Sequence, residues 1–255
     1  MLMYDNVTAS IGGKKIITNL SVSFPYGTIT CILGPNGSGK STLLKSLFSP
    51  QYLIEGEILL DDRPITKYPA REKAMRIAYL PQIHEIPPIT VRTLIIQGRF
   101  PYIGMLGKAS RLDQHLVQQA LIDTNMSELA NRNLTTLSGG ECKRAYIGMI
   151  LAQNTDYIIL DEPTTFLDIK HRLELLELLS TLRDRGKTIV VVLHDINEAL
   201  QLADIIVLLK DGSLVKTLSH MEFLNTDLIQ DIFQVQMTYQ EVDHRTLTNF
   251  SLKDK

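Results

Sequence analysis

Short apolar runs alternate with segments of helical period along most of the chain. Leu20, Val22 and Phe24 alternate with polar residues, which predicts a strand with one buried face. Further apolar runs of strand length lie at residues 28–33, 76–80, 157–160 and 188–193. Strands that alternate with helices predict an α/β protein with a mainly parallel sheet, and residues 1–30 predict antiparallel strands before it.

Helical patterns dominate residues 85–155. Leu112, Leu116 and Leu121 recur with helical period, and another helix is predicted to begin near Ser138. We interpret this segment as a helical subdomain inserted into an α/β domain that spans residues 1–220. Residues 221–255 are predicted to form a C-terminal extension with one helix and a weakly determined tail.

Two local signals mark the later part of the chain. Asp195 is predicted to cap a helix, with Glu198 reaching back to complete a capping box. Asp211 and Gly212 separate two apolar runs, which predicts a tight β-hairpin.

Composition narrows the possible roles. The 26 basic and 28 acidic residues give a net charge of −2 and no sign of a nucleic-acid-binding surface. The two cysteines, Cys31 and Cys142, are too few for a disulfide framework and suit a reducing cytoplasm. No signal-peptide pattern is expected at the N-terminus, and the apolar runs are far shorter than the ~20 residues of a membrane helix. Any role at a membrane would therefore require a partner.

The strongest chemical signal is a glycine-rich loop between a predicted strand and a predicted helix. Residues 34–41 (GPNGSGKS) match the phosphate-loop pattern G-x-x-x-x-G-K-[ST] without a gap. Backbone N–H groups of such a loop point at phosphate oxygens, while Lys40 would reach the β- and γ-phosphates and Ser41 would ligate Mg²⁺. The predicted nucleotide contacts are Gly34, Pro35, Asn36, Gly37, Ser38, Gly39, Lys40, Ser41 and Thr42.

Two adjacent carboxylates follow the apolar run at residues 157–160. Asp161 could hold Mg²⁺, and Glu162 could polarise an attacking water. An acidic pair after a strand is by itself more often a solvated turn or a helix cap. The phosphate loop in the same chain favours the catalytic interpretation.

Polar residues also follow two other predicted strands. His194 comes directly after the run 188–193, and Gln82 follows the run 76–80. In an open α/β sheet, ligands bind at the carboxyl ends of the strands, where these residues are expected. We therefore interpret His194 as a γ-phosphate contact and Gln82 as a ligand of Mg²⁺ or water, although a lone histidine at a strand end is usually structural.

A further motif identifies the family that this chain resembles. Residues 137–141 (LSGGE) place a serine and two glycines at the start of a predicted helix, which forms a second anion-binding N-terminus. Together with the phosphate loop, Gln82, Asp161–Glu162, the segment 165–168 (TFLD) and His194, in this order, the chain resembles the ATP-binding-cassette (ABC) ATPases from about Leu2 to Leu218.

The resemblance implies a head-to-tail pair of nucleotide domains. Each ATP, bound with Mg²⁺, would lie between the phosphate loop of one subunit and Ser138, Gly139 and Gly140 of the other, with Asp168 at the interface. The metal ligands would be Ser41, Gln82 and Asp161; the catalytic residues would be Glu162, His194, Gln82 and Lys40. Asp168 could equally cap the helix that begins at Ile169. The family usually has an aromatic residue near position 11 that stacks on adenine, whereas this chain has Ile11.

Three functions compete within this family: an importer ATPase, a non-transport cassette that acts on ribosomes or DNA, and a regulatory module that binds ATP without useful turnover. Intact Glu162 and His194 argue against the regulatory module, and one cassette with no expected membrane span fits a bacterial importer best. Residues 98–102 (GRFPY) and 194–197 (HDIN) resemble importers of metal chelates such as ferric siderophores, haem or cobalamin, although another solute is an alternative. Glu141 replaces the more frequent glutamine of the family, a variant that resembles a subset of importer ATPases. Such an importer ATPase would lie on the cytoplasmic face of the cell membrane, bound to integral membrane permeases and acting indirectly with a substrate-binding protein, without nucleic acid. The segment 91–107, with Phe100, Tyr102, Met105 and Leu106, is either a folded-back part of the core or a docking surface, and the family resemblance favours a permease contact.

Overall fold

The structure is a computed structural model that describes residues 1–82, 85–104, 107–242 and 245–252. The chain divides into two compact units: residues 1–67 with 183–255, and residues 68–182. No helix among the described residues is both long and apolar enough to span a membrane.

Ten helices and twelve strands lie within the described ranges. The strands are β1 (Leu2–Ile11), β2 (Lys14–Phe24), β3 (Ile29–Leu33), β4 (Leu53–Leu60), β5 (Arg63–Pro64), β6 (Ile77–Leu80), β7 (Tyr157–Asp161), β8 (Thr188–Val192), β9 (Ile205–Lys210), β10 (Ser213–Ser219), β11 (Val235–Val242) and β12 (Arg245–Leu252). The helices are α1 (Lys40–Ser46), α2 (Ala70–Arg76), α3 (Val91–Gln97), α4 (Phe100–Ile103), α5 (Arg111–Asp123), α6 (Gly139–Gln153), α7 (Ile169–Asp184), α8 (Ile196–Leu202), α9 (His220–Leu224) and α10 (Leu228–Phe233).

The first unit contains the predicted antiparallel sheet. β1 pairs antiparallel with both β2 and β4, and β5 extends the sheet beside β4. Alternation along β2 buries Leu20, Val22 and Phe24, while the residues between them face solvent. The period-two pattern therefore predicted both the strand and its buried face.

The same unit contains the parallel strands that lead to the phosphate loop. β3 pairs parallel with β8 on one side and with β9 on the other. Every residue of β3 and β8 is buried, which explains their continuous apolar runs. Cys31 in β3 is fully buried, and burial raises the pKa of its thiol, so it is an inert core residue. β9 and β10 form the predicted hairpin, in which Asp211 and Gly212 both have positive φ.

The second unit combines a parallel strand pair with helices. β6 and β7 pair in parallel, with Leu80 opposite Leu160. Helix α6 packs against α3 and α5. This unit therefore contains the helical segment predicted from the sequence, together with β6, β7 and most of α7.

The C-terminal part is more regular than the sequence indicated. In place of one helix and a weakly determined tail, the chain forms α9, α10 and an antiparallel hairpin of β11 and β12. β11 packs against α10, and β12 packs against α8, so the hairpin belongs to the first unit. The contact of β12 with α8 joins segments more than forty residues apart, and the local pattern carries little signal for it.

Candidate nucleotide-binding site

The phosphate loop follows β3 directly and closes around the side chain of Lys40. The Lys40 Nζ donates hydrogen bonds to the backbone oxygens of Gly34 at 2.8 Å and Pro35 at 2.9 Å. Lys40 is only 6% exposed although it carries a charge. A buried ammonium group that bonds the first two residues of its own loop is positioned to meet an anion bound within that loop.

Two glycines of the loop are required by space and by backbone conformation. A Cβ at Gly34 would lie 2.2 Å from the backbone oxygen of Leu209. Gly39 has φ +96°, and a Cβ there would lie 2.5 Å from Ile17 Cδ1. Gly39 is also the N-cap of α1 and provides no side chain to cap the first turn. The first N–H groups of α1 are therefore not covered by a capping side chain.

The hydroxyl of Ser38 fits a phosphate ligand. Ser38 is 2% exposed, and within the described part of the chain its Oγ has no hydrogen-bond partner. A buried hydroxyl without a partner is unfavourable unless a ligand or water satisfies it. A phosphate oxygen in the loop would supply that partner.

His194 lies in the same unit as the phosphate loop. It is exposed and follows Leu193, whose N–H bonds the oxygen of Ile32 in β3 at 3.3 Å. Because β3 and β8 are adjacent and parallel, the loop after β3 and His194 after β8 begin at the same sheet edge, as predicted. Asp195 caps α8 as expected, but its carboxylate accepts from the N–H of Asn197, and Glu198 forms no capping box with it.

The second unit positions Gln82, Asp161 and Glu162. Asp161 ends β7 and is fully buried, and Glu162 is 7% exposed. The side-chain nitrogen of Gln82 donates to Glu162 Oε2 at 2.6 Å. The structure thus brings together two residues that are eighty positions apart in the chain. Glu162 adopts φ 51°, a left-handed conformation that costs a non-glycine residue about 1–3 kcal/mol and is often found at functional sites.

One residue near these carboxylates had no role assigned from the sequence. Lys143 on α6 is buried, and burial lowers the pKa of its ammonium group, while the charges of Asp161 and Glu162 act in the opposite direction. Its position in the sequence, after the LSGGE motif, gave no indication of this contact. Lys143 therefore places a positive charge near the two acidic groups.

The LSGGE motif forms the N-terminus of α6. Ser138 and Glu141 make a reciprocal capping box: Ser138 Oγ accepts from the N–H of Glu141 at 3.3 Å, and Glu141 Oε2 accepts from the N–H and hydroxyl of Ser138, both at 2.8 Å. These bonds lower the pKa of Glu141. A Cβ at Gly139 would meet open space. The motif therefore caps α6 through Ser138 and Glu141 and leaves open space in front of Gly139.

A cavity of about 490 Å³ opens in front of this helix end. It is lined by Ser138, Gly139, Gly140, Glu141, Arg144, Phe166, Asp168 and His171. Asp168 accepts hydrogen bonds from the N–H of His171 at 2.9 Å and pairs with the His171 ring at 2.8 Å, which confirms its role as the cap of α7. These bonds hold the pKa of the Asp168 carboxyl below its usual range. Phe166 beside it is 81% exposed.

Ile11 ends β1 and is half exposed. Gly12 and Gly13, both with positive φ, turn the chain into β2. An exposed aliphatic side chain can contact a base but cannot stack on it as an aromatic ring does.

The phosphate loop, the strand-end residues and the capped glycine motif define an ATP-hydrolysing cassette. The family model for ABC transporters matches residues 17–165, and this chain belongs to that family. It is 43% identical over 232 residues to the petrobactin import ATP-binding protein FpuD of Bacillus anthracis, covering 90% of this chain and 85% of that protein. It is 38% identical over 226 residues to the iron(3+)-hydroxamate import ATP-binding protein FhuC of Bacillus subtilis, covering 88% of this chain and 84% of the relative.

A solved structure supports the same assignment. A metal-chelate type ABC transporter in an inward-facing conformation superposes with a TM-score of 0.83 and 27% identity, covering all of this chain and 98% of that one. The dimeric structure of a bacterial ABC transporter cassette superposes with a TM-score of 0.76 and 29% identity, covering 86% of this chain and 99% of that one. The fold predicted from the sequence, a phosphate-loop NTPase with a mainly parallel sheet and an N-terminal antiparallel part, is thereby confirmed.

Proposed function

We propose that this chain is the ATP-hydrolysing subunit of an importer for ferric siderophores. The observation that carries the proposal is the buried Lys40 at the centre of its phosphate loop, in a chain 38–43% identical to ATP-binding proteins named for petrobactin and iron(3+)-hydroxamate import. These relatives favour an importer over the ribosome- or DNA-associated alternative.

Each candidate residue has a defined chemical task in this proposal. Lys40 and the loop N–H groups would bind the β- and γ-phosphates, and Ser38 would add a hydroxyl donor. Glu162, oriented by its hydrogen bond from Gln82, would accept a proton from the attacking water. His194 would contact the γ-phosphate. Such contacts stabilise charge that develops during phosphoryl transfer.

The proposed metal is Mg²⁺ bound with ATP. Magnesium in phosphoryl-transfer sites is held by one or two carboxylates, a hydroxyl and substrate phosphates, and Asp161, Ser41 and Gln82 supply such donors. When bound, the ion would neutralise part of the phosphate charge. The full burial of Asp161 at a strand end fits this role, because a buried carboxylate needs a cation or hydrogen-bond donors nearby.

We propose a head-to-tail homodimer in which Ser138, Gly139 and Gly140 face the ATP of the partner subunit. The open cavity before α6 and the exposed Phe166 beside it support an interface at this surface. Similarity to a dimeric ABC cassette supports the same assembly. Asp168 would lie at this interface while it caps α7.

The proposed membrane partners are integral permeases, to which the chain would bind on the cytoplasmic face of the membrane; a substrate-binding protein would act upstream. The proposed contact is α4 and its flanks. Phe100 is half exposed, whereas the Tyr102 ring packs against the Arg99 guanidinium at 3.8 Å. Met105 and Leu106, also predicted here, lie outside the described residues.

Two substitutions test the proposed chemistry. Lys40→Ala should abolish tight ATP binding and turnover, because it removes the cation at the β- and γ-phosphates. Glu162→Gln should retain ATP binding and trap an ATP-bound dimer, because the water is no longer activated. Gel filtration with ATP and a phosphate-release assay distinguish the two. Near-normal turnover in Glu162→Gln would refute the assignment of the base.

A growth assay tests the proposed transport. Deletion of the gene should prevent growth on a ferric siderophore as the only iron source, and the wild-type gene should restore it. Thr238→Val, an exposed change far from the loop in sequence, should restore growth as well, whereas Lys40→Ala should not. Normal siderophore-dependent growth of the deletion strain would contradict this substrate class.

A further inference from the structure

The C-terminal hairpin is bonded to the helix that follows His194. Thr248 on β12 is 8% exposed. Its backbone N–H donates to Asn197 Oδ1 at 3.1 Å, and its hydroxyl donates to the same oxygen at 2.6 Å. A backbone N–H can only donate, so the orientation of the Asn197 amide is determined.

Asn197 is bonded on its backbone side as well. Its N–H donates to Asp195 Oδ1 at 2.8 Å, which forms the cap of α8. Residues 195–197 are therefore held from two directions: by the cap within the segment and by the hairpin from outside. The cap shapes the backbone within residues 195–197, whereas the bonds from Thr248 also hold this segment in place relative to β12.

His194 lies between two anchored points. On its N-terminal side, the Leu193 N–H bonds the Ile32 oxygen of β3, next to the phosphate loop. On its C-terminal side, the first turn of α8 is held by Thr248 through Asn197. The His194 side chain itself is exposed. Movement of the backbone on either side would therefore move the His194 side chain.

We propose that Thr248 is a positioning residue for His194, so that the C-terminal hairpin sets the rate of ATP hydrolysis through the first turn of α8. This inference rests on the proposed role of His194 at the γ-phosphate. It assigns a task to the C-terminal extension, which contains none of the sequence motifs of the nucleotide site. Both of these Thr248 hydrogen bonds go to Asn197, whereas Lys40 bonds Gly34 and Pro35, so ATP affinity should depend little on Thr248.

The central test compares Thr248→Val with Thr248→Ser and Thr238→Val in the full-length chain. Thr248→Val removes only the hydroxyl bond and keeps the shape of the side chain. It should lower kcat about three- to tenfold, the effect of one hydrogen bond, and leave the Kd for ATP within about twofold. Thr248→Ser keeps the hydroxyl and should retain wild-type kcat. Thr238→Val, the same change at an exposed position of β11, should have no effect.

An NMR measurement reads the position of His194 without relying on turnover. The imidazole resonance of His194 is assigned by its loss in His194→Ala. It should shift in Thr248→Val and remain unchanged in Thr238→Val and Thr248→Ser. Asn197→Ala removes the acceptor from the helix side and should produce the same shift, which keeps the test decisive if Thr248→Val fails to fold.

The outcomes separate this inference from the proposed function. Wild-type turnover in His194→Ala would reject the γ-phosphate role itself. An inactive His194→Ala, combined with unchanged kcat and an unchanged His194 resonance in both Thr248→Val and Asn197→Ala, would overturn only the positioning role. Equal loss of activity in Thr248→Ser and Thr248→Val would overturn it too, because the hydroxyl would then not matter.

Discussion

Replacement of Arg99 by Met should destabilise the second unit strongly. Arg99 is 3% exposed, and its Nε donates to Asp113 Oδ1 at 2.8 Å. Its Nη1 donates to the oxygens of Ala152 at 2.9 Å and Gln153 at 3.0 Å, in the last turn of α6. One guanidinium group thus satisfies the carboxylate at the start of α5 and two free carbonyls at the end of α6.

The expected loss of unfolding free energy follows from the groups that lose a hydrogen-bond partner in Arg99→Met. Met retains much of the apolar stem, so the main loss is the charge and its hydrogen bonds. Removal of one partner from a buried ion pair costs about 3–5 kcal/mol. After Arg99→Met the Asp113 carboxylate stays buried, with the N–H and hydroxyl of Ser110 as its remaining hydrogen-bond donors. For a protein of this size, about 2–4 °C of melting temperature corresponds to 1 kcal/mol, so the unfolding midpoint should fall by roughly 6–20 °C.

Thermal and urea unfolding, followed by circular dichroism, would measure the loss. Arg71→Met is the matched control, because Arg71 is an exposed arginine that also donates to backbone oxygens, those of Pro101 at 2.6 Å and Tyr102 at 3.1 Å. Arg71→Met should lower the free energy of unfolding by less than about 1 kcal/mol. Equal losses in the two variants would refute the claim that burial of the Arg99–Asp113 pair decides its contribution.

Four further outcomes are expected. The hydroxyl of Ser110, and to a smaller extent Arg99, hold the pKa of Asp113 below its usual value. The stability that this carboxylate contributes is therefore complete above its unfolded pKa near 4 and is lost as the pH falls below that value. When unfolding is measured as a function of acid pH, Asp113→Asn should lose stability less steeply than the wild type. Lys143→Met removes the positive charge near the buried Asp161 and Glu162, so the free energy of unfolding should fall, by up to about 3 kcal/mol, and turnover should fall as well; unchanged or increased stability would contradict this. Mixing Lys40→Ala with Ser138→Arg subunits should recover part of the turnover that each lacks alone, because one composite site stays intact; no recovery in verified heterodimers would count against the head-to-tail pair. Ile11→Tyr should tighten ATP binding by about 1–3 kcal/mol relative to the wild type in calorimetry, since an aromatic ring would stack on the base, and unchanged affinity would mean that another side chain supports the base.

Local patterns in the sequence predicted the elements that depend on neighbouring residues. The apolar run of β3 and the glycines after it specify a strand followed by a phosphate loop. Every β3 side chain is buried and therefore apolar or small, and Gly34 has no room for a side chain, so the residue types themselves indicate both features. Asp211–Gly212 specified its hairpin for the same reason, since both residues tolerate positive φ. The order of motifs specified the family.

Only the tertiary structure decided which distant residues meet. The Gln82–Glu162 bond, the buried Arg99–Asp113 pair and the Thr248–Asn197 contact join positions that no periodic pattern relates. The tail after residue 220 was predicted poorly because its hairpin packs on α8, an element outside the tail. For the strands and helices up to about residue 220, the sequence by itself determined the type of element and its buried face, because these depend on each residue and its neighbours. The pairing of polar groups was decided by the tertiary structure, because a buried donor selects its acceptor only after the elements that carry both have packed together.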